Sequence, residues 1–164
     1  DGIHYGGTSW TLDDTSGTIQ ILWGLHGTSA TDLWAVGTGS TVLHRTGAGW
    51  AAVPFAETAH LTGVWSDGSA VWVSGQGGLI RRRTGTTWDA VAAPSTTAWI
   101  ESIWGSSAND VWVAGDLGVI WRWQNGSWTD YTLAGEPFLL EVWGPSATEI
   151  FVVGEGLAAR RTGL

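Results

Sequence analysis

Residues 103–128, IWGSSANDVWVAGDLGVIWRWQNGSW, carry the pattern that decides the fold. Trp104 stands before a short polar turn, Trp112 lies in an apolar run that ends at Gly115, and Trp128 closes the stretch. The rest of the chain can be laid over this pattern. An internal repeat of this kind organises a whole fold, because each copy becomes one structural unit.

The three Trp anchors of this stretch recur in one register. The spacing between successive copies of the first anchor is constant along the chain. Four units in register predict a repeat architecture. The first anchors are His26, Trp65, Trp104 and Trp143; the second are Trp34, Trp72, Trp112 and Phe151; the third are Trp10, Trp50, Trp88 and Trp128.

Each unit has the residue pattern of short β-strands. In the second unit, residues 61–65, 71–74, 79–83 and 88–91 are rich in β-branched and aromatic side chains and are separated by small polar residues. Asn125-Gly126 predicts a two-residue hairpin. A further Gly within three positions of the Gly that ends each second strand predicts a tight hairpin with positive φ there. Because Gly recurs so often, we expect essentially no helix.

These features predict an all-β fold, a β-propeller of four-stranded antiparallel blades with a 39-residue repeat and four blade equivalents in the chain. We expect residues 1–164 to form a single domain, with blades at about residues 20–58, 59–97 and 98–136. Residues 1–19 and 137–164 would supply parts of a closing blade. The anchor Trp would wedge between adjacent sheets, with the indole N–H reaching an acceptor.

The two ends of the chain hold the same place in the repeat. His4 corresponds to Arg160, so each end carries a third strand. One chain could close as a four-bladed ring with the surplus strand displaced, or a second copy could complete a ring of about eight blades, since propellers have roughly 4–8 blades. Thin units of this length favour the second arrangement, a homodimer.

The phrase pattern of residues 103–128 resembles the repeat of bacterial, chiefly myxobacterial-type, secreted Trp-rich β-propellers. It is more distantly similar to the photosystem assembly factor propellers and to the Asp-box repeats of sialidases. This resemblance covers nearly the whole chain and implies a propeller with a secreted or cell-surface location. The turns at residues 45–50 and 124–128 lack the Asp of an Asp-box, so the resemblance does not imply glycosidase activity.

Composition argues against several classes of partner. The formal charge is −8 and all seven basic residues are Arg, which disfavours a broad contact with nucleic acid or an anionic membrane. No apolar run approaches the roughly 20 residues that span a bilayer. The absence of Cys excludes a disulfide framework and a thiolate metal site.

One repeat position carries a basic residue in every copy: His4, His44, Arg82, Arg122 and Arg160. Together these side chains could receive a carboxylate, a sulfate or sugar hydroxyls. Alternatively, they point outward from the third strand and lie over neighbouring Trp rings. A second repeat position, in the turn between first and second strands, carries Asp32, Asp110 and Glu149, and we expect these carboxylates to cap backbone N–H groups.

No catalytic constellation stands out in the sequence. The four His have no metal-ligand spacing, no Gly-x-Ser-x-Gly elbow occurs, and no Gly-rich segment opens a helix as a phosphate loop would. We therefore expect no enzyme activity, no metal site and no cofactor.

The sequence predicts a non-enzymatic binding scaffold that holds an unknown protein or glycan by the loops of one propeller face or by pockets between blades. A multivalent lectin and a hydrolase with an unrecognised site are the alternatives. Trp23 and Trp99 stand outside the repeated anchors and would stack on a ligand if exposed. His26 and the shortened turn at Asp67-Gly68 also depart from the repeat pattern, so a specific function could reside there.

Overall fold

The fold is built from short antiparallel β-strands. The computed structural model describes residues 2–5, 10–13, 17–94 and 97–163. The predicted site residue His4 and the predicted anchor Trp10 lie in the first two strands, and their side chains are outside the described part of the structure.

Four successive sheets, here called blades, contain most of the strands. Blade 1 contains β3 (Leu22–Ser29), β4 (Asp32–Gly37), β5 (Val42–Thr46) and β6 (Gly49–Ala52). Blade 2 contains β7 (Leu61–Ser66), β8 (Val71–Gly75), β9 (Ile80–Thr84) and β10 (Thr87–Ala90). Blade 3 contains β11 (Ile100–Ser107), β12 (Asp110–Gly115), β13 (Ile120–Gln124) and β14 (Ser127–Asp130). Blade 4 contains β15 (Leu139–Ser146), β16 (Glu149–Gly154) and β17 (Leu157–Thr162).

The remaining two strands, β1 (Gly2–Tyr5) and β2 (Trp10–Asp13), pair with each other in a separate two-stranded sheet. Among the described residues, β17 pairs with β16 alone, so blade 4 has three strands. The expected closing blade, made from both ends of the chain, stays a prediction.

The strands of each blade follow one another in chain order and pair antiparallel. The predicted strands of the second unit agree with β7 to β10 to within one residue at each end. In blade 3, β13 and β14 are joined at Asn125-Gly126, where both residues have positive φ, 50° and 98°. This is the backbone of a two-residue hairpin, which confirms the turn predicted from the Asn-Gly pair.

The connections between second and third strands in blades 1 to 3 differ from the predicted tight hairpins. Each is a three-residue 3₁₀ turn, at Thr38–Ser40, Gln76–Gly78 and Asp116–Gly118. Positive φ occurs there as predicted, but Leu117 adopts it (φ 55°) without being Gly. The longer turn is needed because the residue after each closing Gly bonds sideways to the segment that precedes the first strand, as in Asp116 N–H to the Trp99 carbonyl at 3.0 Å.

The blades stack face to face, each packing its innermost strand on the sheet before it. Strand β7 contacts β3 and β4, β11 contacts β7 and β8, and β15 contacts β11 and β12. Three apolar clusters fill these joints. As predicted, anchor Trp lie inside them, and Trp72 and Trp112 have no exposed surface. Burial of such large apolar side chains is the main stabilising contribution, about 1.5–3 kcal/mol for each.

The indole N–H groups of these anchors behave in two ways. Trp128 Nε1 donates to the Ala92 carbonyl at 2.8 Å, as predicted. For Trp72, Trp88 and Trp112, Nε1 is buried and has no acceptor among the described residues. The predicted acceptor is therefore not observed for these three indoles.

Candidate functional site

The four innermost strands, β3, β7, β11 and β15, line one concave cavity of about 500 Å³. Its lining comes from all four blades, so distant parts of the sequence meet there. The lining residues are Trp23, Gly24, Leu25, Thr62, Gly63, Val64, Trp99, Glu101, Ser102, Ile103, Leu140 and Glu141. Trp23, Thr62, Glu101 and Leu140 hold equivalent places in the four units, so one repeat position supplies a different side chain from each blade.

A backbone clamp fixes Trp99 at this cavity. Trp99 N–H donates to Asp116 Oδ1 at 2.7 Å, and Asp116 N–H donates back to the Trp99 carbonyl. Gly115 allows this approach, because a Cβ at that position would lie only 1.9 Å from the Trp99 carbonyl oxygen. The Gly that ends the second strand is therefore required by a close backbone contact, and the contact holds a cavity residue in place.

Three aromatic rings form a continuous edge on the cavity side of blades 1 to 3. The Trp23 and His60 ring centroids are 5.7 Å apart, and the His60 and Trp99 centroids are 6.3 Å apart. Gly39 N–H donates to His60 Nδ1 at 3.3 Å, which orients the imidazole between the two indoles. Trp23 is 46% exposed and Trp99 is half-buried. The two Trp predicted outside the repeated anchors are thus brought to one site, with His60 between them.

Two carboxylates complete the lining. Burial raises the pKa of Glu101, and the nearby Asp116 charge raises it further. Glu141 Oε1 accepts the Ser102 hydroxyl at 2.6 Å, and Ser102 Oγ accepts the Val142 N–H at 3.2 Å. None of the cavity-lining residues that the structure describes is basic. The cavity therefore combines aromatic surface with negative charge.

Thr62, Glu101 and Glu141 were not singled out from the sequence as site residues. Thr62 and Glu101 follow Trp23 at the constant spacing of the repeat, a signal that would have found them. The spacing alone does not show that these residues share a cavity. That also depends on which strand is innermost and which way its side chains point, because alternate residues of a strand face opposite sides.

The four repeated basic residues whose side chains the structure describes, His44, Arg82, Arg122 and Arg160, lie away from this cavity and pack on the second anchors. The His44 and Trp34 rings are parallel with centroids 3.9 Å apart. The guanidinium carbons of Arg82, Arg122 and Arg160 lie 5.5, 5.1 and 5.7 Å from the ring centroids of Trp72, Trp112 and Phe151. This is the position over neighbouring rings that the sequence allowed as an alternative, although Arg122 is buried and does not point outward. Ligand binding at these residues stays a prediction.

The carboxylates of the first turn pair with these bases. Arg122 Nε and Nη2 donate to Asp110 Oδ1 and Oδ2 at 2.7 and 3.1 Å. His44 Nε2 lies 2.8 Å from Asp32 Oδ1, and Arg160 Nη2 lies 2.5 Å from Glu149 Oε1. The expected capping of backbone N–H groups by these carboxylates is therefore not the contact observed, since the facing third strand places a cation within reach.

The Asp110–Arg122 pair raises the pKa of Arg122 through its hydrogen bonds. In blade 1, the Thr28 hydroxyl and His44 hold the pKa of Asp32 below its usual value. These acids and bases are therefore paired within their own blades.

The two positions that break the repeat, His26 and Asp67, join neighbouring blades. His26 Nδ1 accepts the Ser66 N–H at 3.1 Å, and burial lowers the pKa of His26. Asp67 Oδ1 accepts N–H groups of its own turn, and Oδ2 accepts the Ala108 N–H of blade 3 at 2.8 Å. Burial opposes the charged form of Asp67, but hydrogen bonds from Ser69, Ala70 and Ala108 outweigh it and lower its pKa.

Two kinds of feature are absent from the described residues. They contain no helix that is long and apolar enough to cross a membrane. They also contain no group of three or more His, Asp or Glu side chains arranged to hold a metal ion.

The arrangement of blades is similar to that of several solved structures. "YCF48 bound to D1 peptide" has a TM-score of 0.78 and 17% identity, over 96% of this chain and 55% of that one. YCF48 from Cyanidioschyzon merolae has a TM-score of 0.78 and 14% identity, over 96% and 58%. PorZ, a surface component of the type-IX secretion system of Porphyromonas gingivalis, has a TM-score of 0.60 and 12% identity, over 88% and 20%. No family model and no curated protein matches the chain.

At such identities the likeness concerns the fold alone. The chain spans a little over half the length of the YCF48 chains, which are 55% and 58% covered. The more specific resemblances to secreted Trp-rich repeats and to Asp-box repeats stay predictions. The chain is an all-β protein whose fold is similar to that of the YCF48 β-propellers.

Proposed function

We propose that this chain is a non-enzymatic binding module that holds a segment of a protein partner in the cavity of its innermost strands. The observation that carries the proposal is the gathering of Trp23 and Trp99, which are distant in sequence, at the edge of one cavity. Exposed indoles on a rigid β-scaffold are typical of interaction sites, since they offer a large contact area with little loss of side-chain entropy.

The size and position of the cavity suit a peptide segment. At about 500 Å³ it falls within the roughly 300–1,000 Å³ of ordinary ligand pockets. Its walls are strands held by ladder hydrogen bonds, so little ordering is needed on binding. One similar structure is described as bound to a D1 peptide, which supports a protein ligand as the class.

An array of synthetic decapeptides that samples all side-chain classes, probed beside a glycan array, tests the proposal. We expect the wild-type chain to bind a subset of peptides and Trp23→Ala to lose most of that binding. Leu117→Ala is a matched control, because Leu117 is 43% exposed, against 46% for Trp23, and does not line the cavity. Intact peptides after long incubation, measured by mass spectrometry, are the result expected of a non-enzymatic module.

Three results would overturn this proposal. Binding to glycans alone would favour the lectin, and cleavage of bound peptides would favour the hydrolase. Peptide binding that Trp23→Ala and Leu117→Ala leave equally strong would place the site outside the cavity.

We also propose that two copies of the chain complete one ring. The outer face of blade 4 exposes 54% of Trp143 and 43% of Val153, and the outer face of blade 1 exposes 65% of Leu25. The same repeat positions are buried inside the stack: Ala114 corresponds to Val153 and is 0% exposed, and Ile103 corresponds to Leu25 and is 6% exposed. The exposed face of blade 4 and the exposed face of blade 1 thus carry the two kinds of surface that pack on each other between neighbouring blades.

Joining unlike faces head to tail closes a ring when the rotation allows, and two copies would make that joint twice. Native mass spectrometry should give about twice the 17.4 kDa chain mass. Val153→Glu should abolish association, whereas Leu117→Glu should not, although both side chains are 43% exposed. A strict monomer at micromolar concentration, or a dimer that survives Val153→Glu, would contradict the proposal.

A further inference from the structure

We infer that the cavity selects a cationic side chain, the guanidinium of Arg or the ammonium of Lys, in the segment that it binds. This inference rests on the peptide-binding function proposed above and specifies the chemistry of its ligand. Three observations support it together: the carboxylates in the cavity, the aromatic edge and the negative charge of the lining.

The charge of the cavity favours a cation over any other ligand. Glu101 and Glu141 both line it, and Asp116 lies close enough to Glu101 to act on its ionisation. No described basic residue lines the cavity to neutralise these groups. A concave surface of one charge sign with low-dielectric walls concentrates the field, which attracts ligands of opposite charge and repels acidic ones.

The bases elsewhere in the blades do not offset this charge. Arg82, Arg122 and Arg160 lie over rings of the second anchors, and Arg122 is buried with Asp110. Arg81 is held by Glu57, with Nε 2.7 Å from Oε1. These cations are therefore committed to contacts on the outer parts of the blades, and the inner strands keep a net negative lining.

The aromatic edge supplies the second half of the recognition. A guanidinium or ammonium within about 6 Å of an indole face is attracted by the ring quadrupole. Trp23 and Trp99 flank His60, so a side chain that enters the cavity passes between exposed aromatic surface and carboxylates. The aliphatic stem of Arg or Lys packs on such surface while its head reaches the acids.

The carboxylate of Glu141 is also held in position. Ser102 donates to Glu141 and is itself fixed by the Val142 N–H, while Glu101 lies half-buried on β11, two residues after the clamped Trp99. Groups that are oriented before binding lose less entropy when the cation arrives. An acidic or neutral peptide would leave these carboxylates desolvated and unpaired, which disfavours it.

Fluorescein-labelled decapeptides of Gly and Ser, each with three Arg, three Lys, three Glu or three Gln, provide the test by fluorescence anisotropy. We expect the Arg and Lys peptides to bind and the Glu and Gln peptides not to bind. Glu101→Gln and Trp23→Ala should each weaken binding by about 3- to 30-fold, since a partly desolvated cation contact contributes a tenfold effect or somewhat more. Raising the ionic strength should weaken it further.

The control is Asp89→Asn, which removes the same charge from an exposed position on β10 outside the cavity. Thermal melts followed by circular dichroism would verify that every variant is folded. If Asp89→Asn weakens binding as much as Glu101→Gln, net charge and not the cavity attracts the peptide, and the inference is overturned.

The experiment separates this inference from the function on which it rests. Binding of the Gln or Glu peptides in place of the Arg and Lys peptides, lost in Trp23→Ala, would overturn the cationic specificity and leave peptide binding standing. No binding of any peptide, here or on the array, would overturn both.

Discussion

Blade 3 and blade 4 carry the same ion pair in opposite surroundings. In blade 3, the Arg122 and Asp110 side chains are 8% and 11% exposed, and the adjacent Trp112 is fully buried. In blade 4, the Arg160 and Glu149 side chains are 57% and 33% exposed. Among the described strands, blade 3 packs against a blade on each face, whereas blade 4 packs against one on a single face. We therefore expect the two ion pairs to contribute differently to the free energy of unfolding, because one is buried and the other is exposed.

The first way to sharpen this contrast is to remove the carboxylate from each pair. Asp110→Ala should lower the free energy of unfolding by about 3–5 kcal/mol, because it leaves a buried guanidinium without its partner. Glu149→Ala should cost about 0–1 kcal/mol, because water solvates the exposed Arg160. Urea denaturation of both variants measures the difference. Equal losses would show that burial does not govern these pairs.

A second, smaller effect concerns Asp67, which links blade 2 to blade 3. Asp67→Ala removes the bonds to its own turn and to the Ala108 N–H, so unfolding should become easier by about 1–3 kcal/mol. Asp89→Ala, on the exposed face of β10, is the control and should change stability little.

The contribution of Asp67 should also depend on pH. Because its pKa is lowered in the folded chain, the contribution is complete above the unfolded pKa and is lost as the pH falls through the folded one. Denaturation of wild type and Asp67→Ala across the acidic range measures it. A stability difference that stayed constant as the pH fell would rule out the charged carboxylate as its source.

The smallest effect is expected at His26, in the joint between blades 1 and 2. Burial lowers the pKa of His26, so the unfolded chain takes up a proton more readily than the folded one. Stability should be complete above the ordinary His pKa of about 6.5 and decline as the pH falls below it.

His26→Phe should flatten this decline by the part that His26 contributes. The measurement is the difference in unfolding free energy between the two proteins at neutral and mildly acidic pH. An identical slope in the variant would mean that His26 does not titrate on unfolding.

The local features of the fold could be predicted from sequence because they depend on short-range rules. Alternating side chains define strands, and Asn125-Gly126 defines a hairpin, whatever surrounds them. The 3₁₀ turns could not be predicted, since they arise from a bond between Asp116 and Trp99, residues of separate segments. The unpaired indole N–H of Trp112 likewise depends on how two blades pack together, which the residue type alone does not indicate.

The candidate site was only partly visible in the sequence. Trp23 and Trp99 stood out because they lie outside the repeated anchors, but nothing local indicated that they share an edge with His60 or a cavity with Glu101. The repeated basic residues stood out more strongly in the sequence. In the structure, the described ones contact the aromatic rings of the second anchors and the carboxylates of the first turn within their own blades.

The sequence by itself determined that the strands are short and joined by hairpins, and which positions carry large apolar side chains. These features follow from the alternation of residues and from turn chemistry. Tertiary structure alone decided which copies of a position are covered. Trp65 is 5% exposed and its repeat equivalent Trp143 is 54% exposed, because blade 3 packs over Trp65 and no described blade follows blade 4. The meeting of the four inner strands at one acidic and aromatic cavity is likewise a result of the packing of the blades.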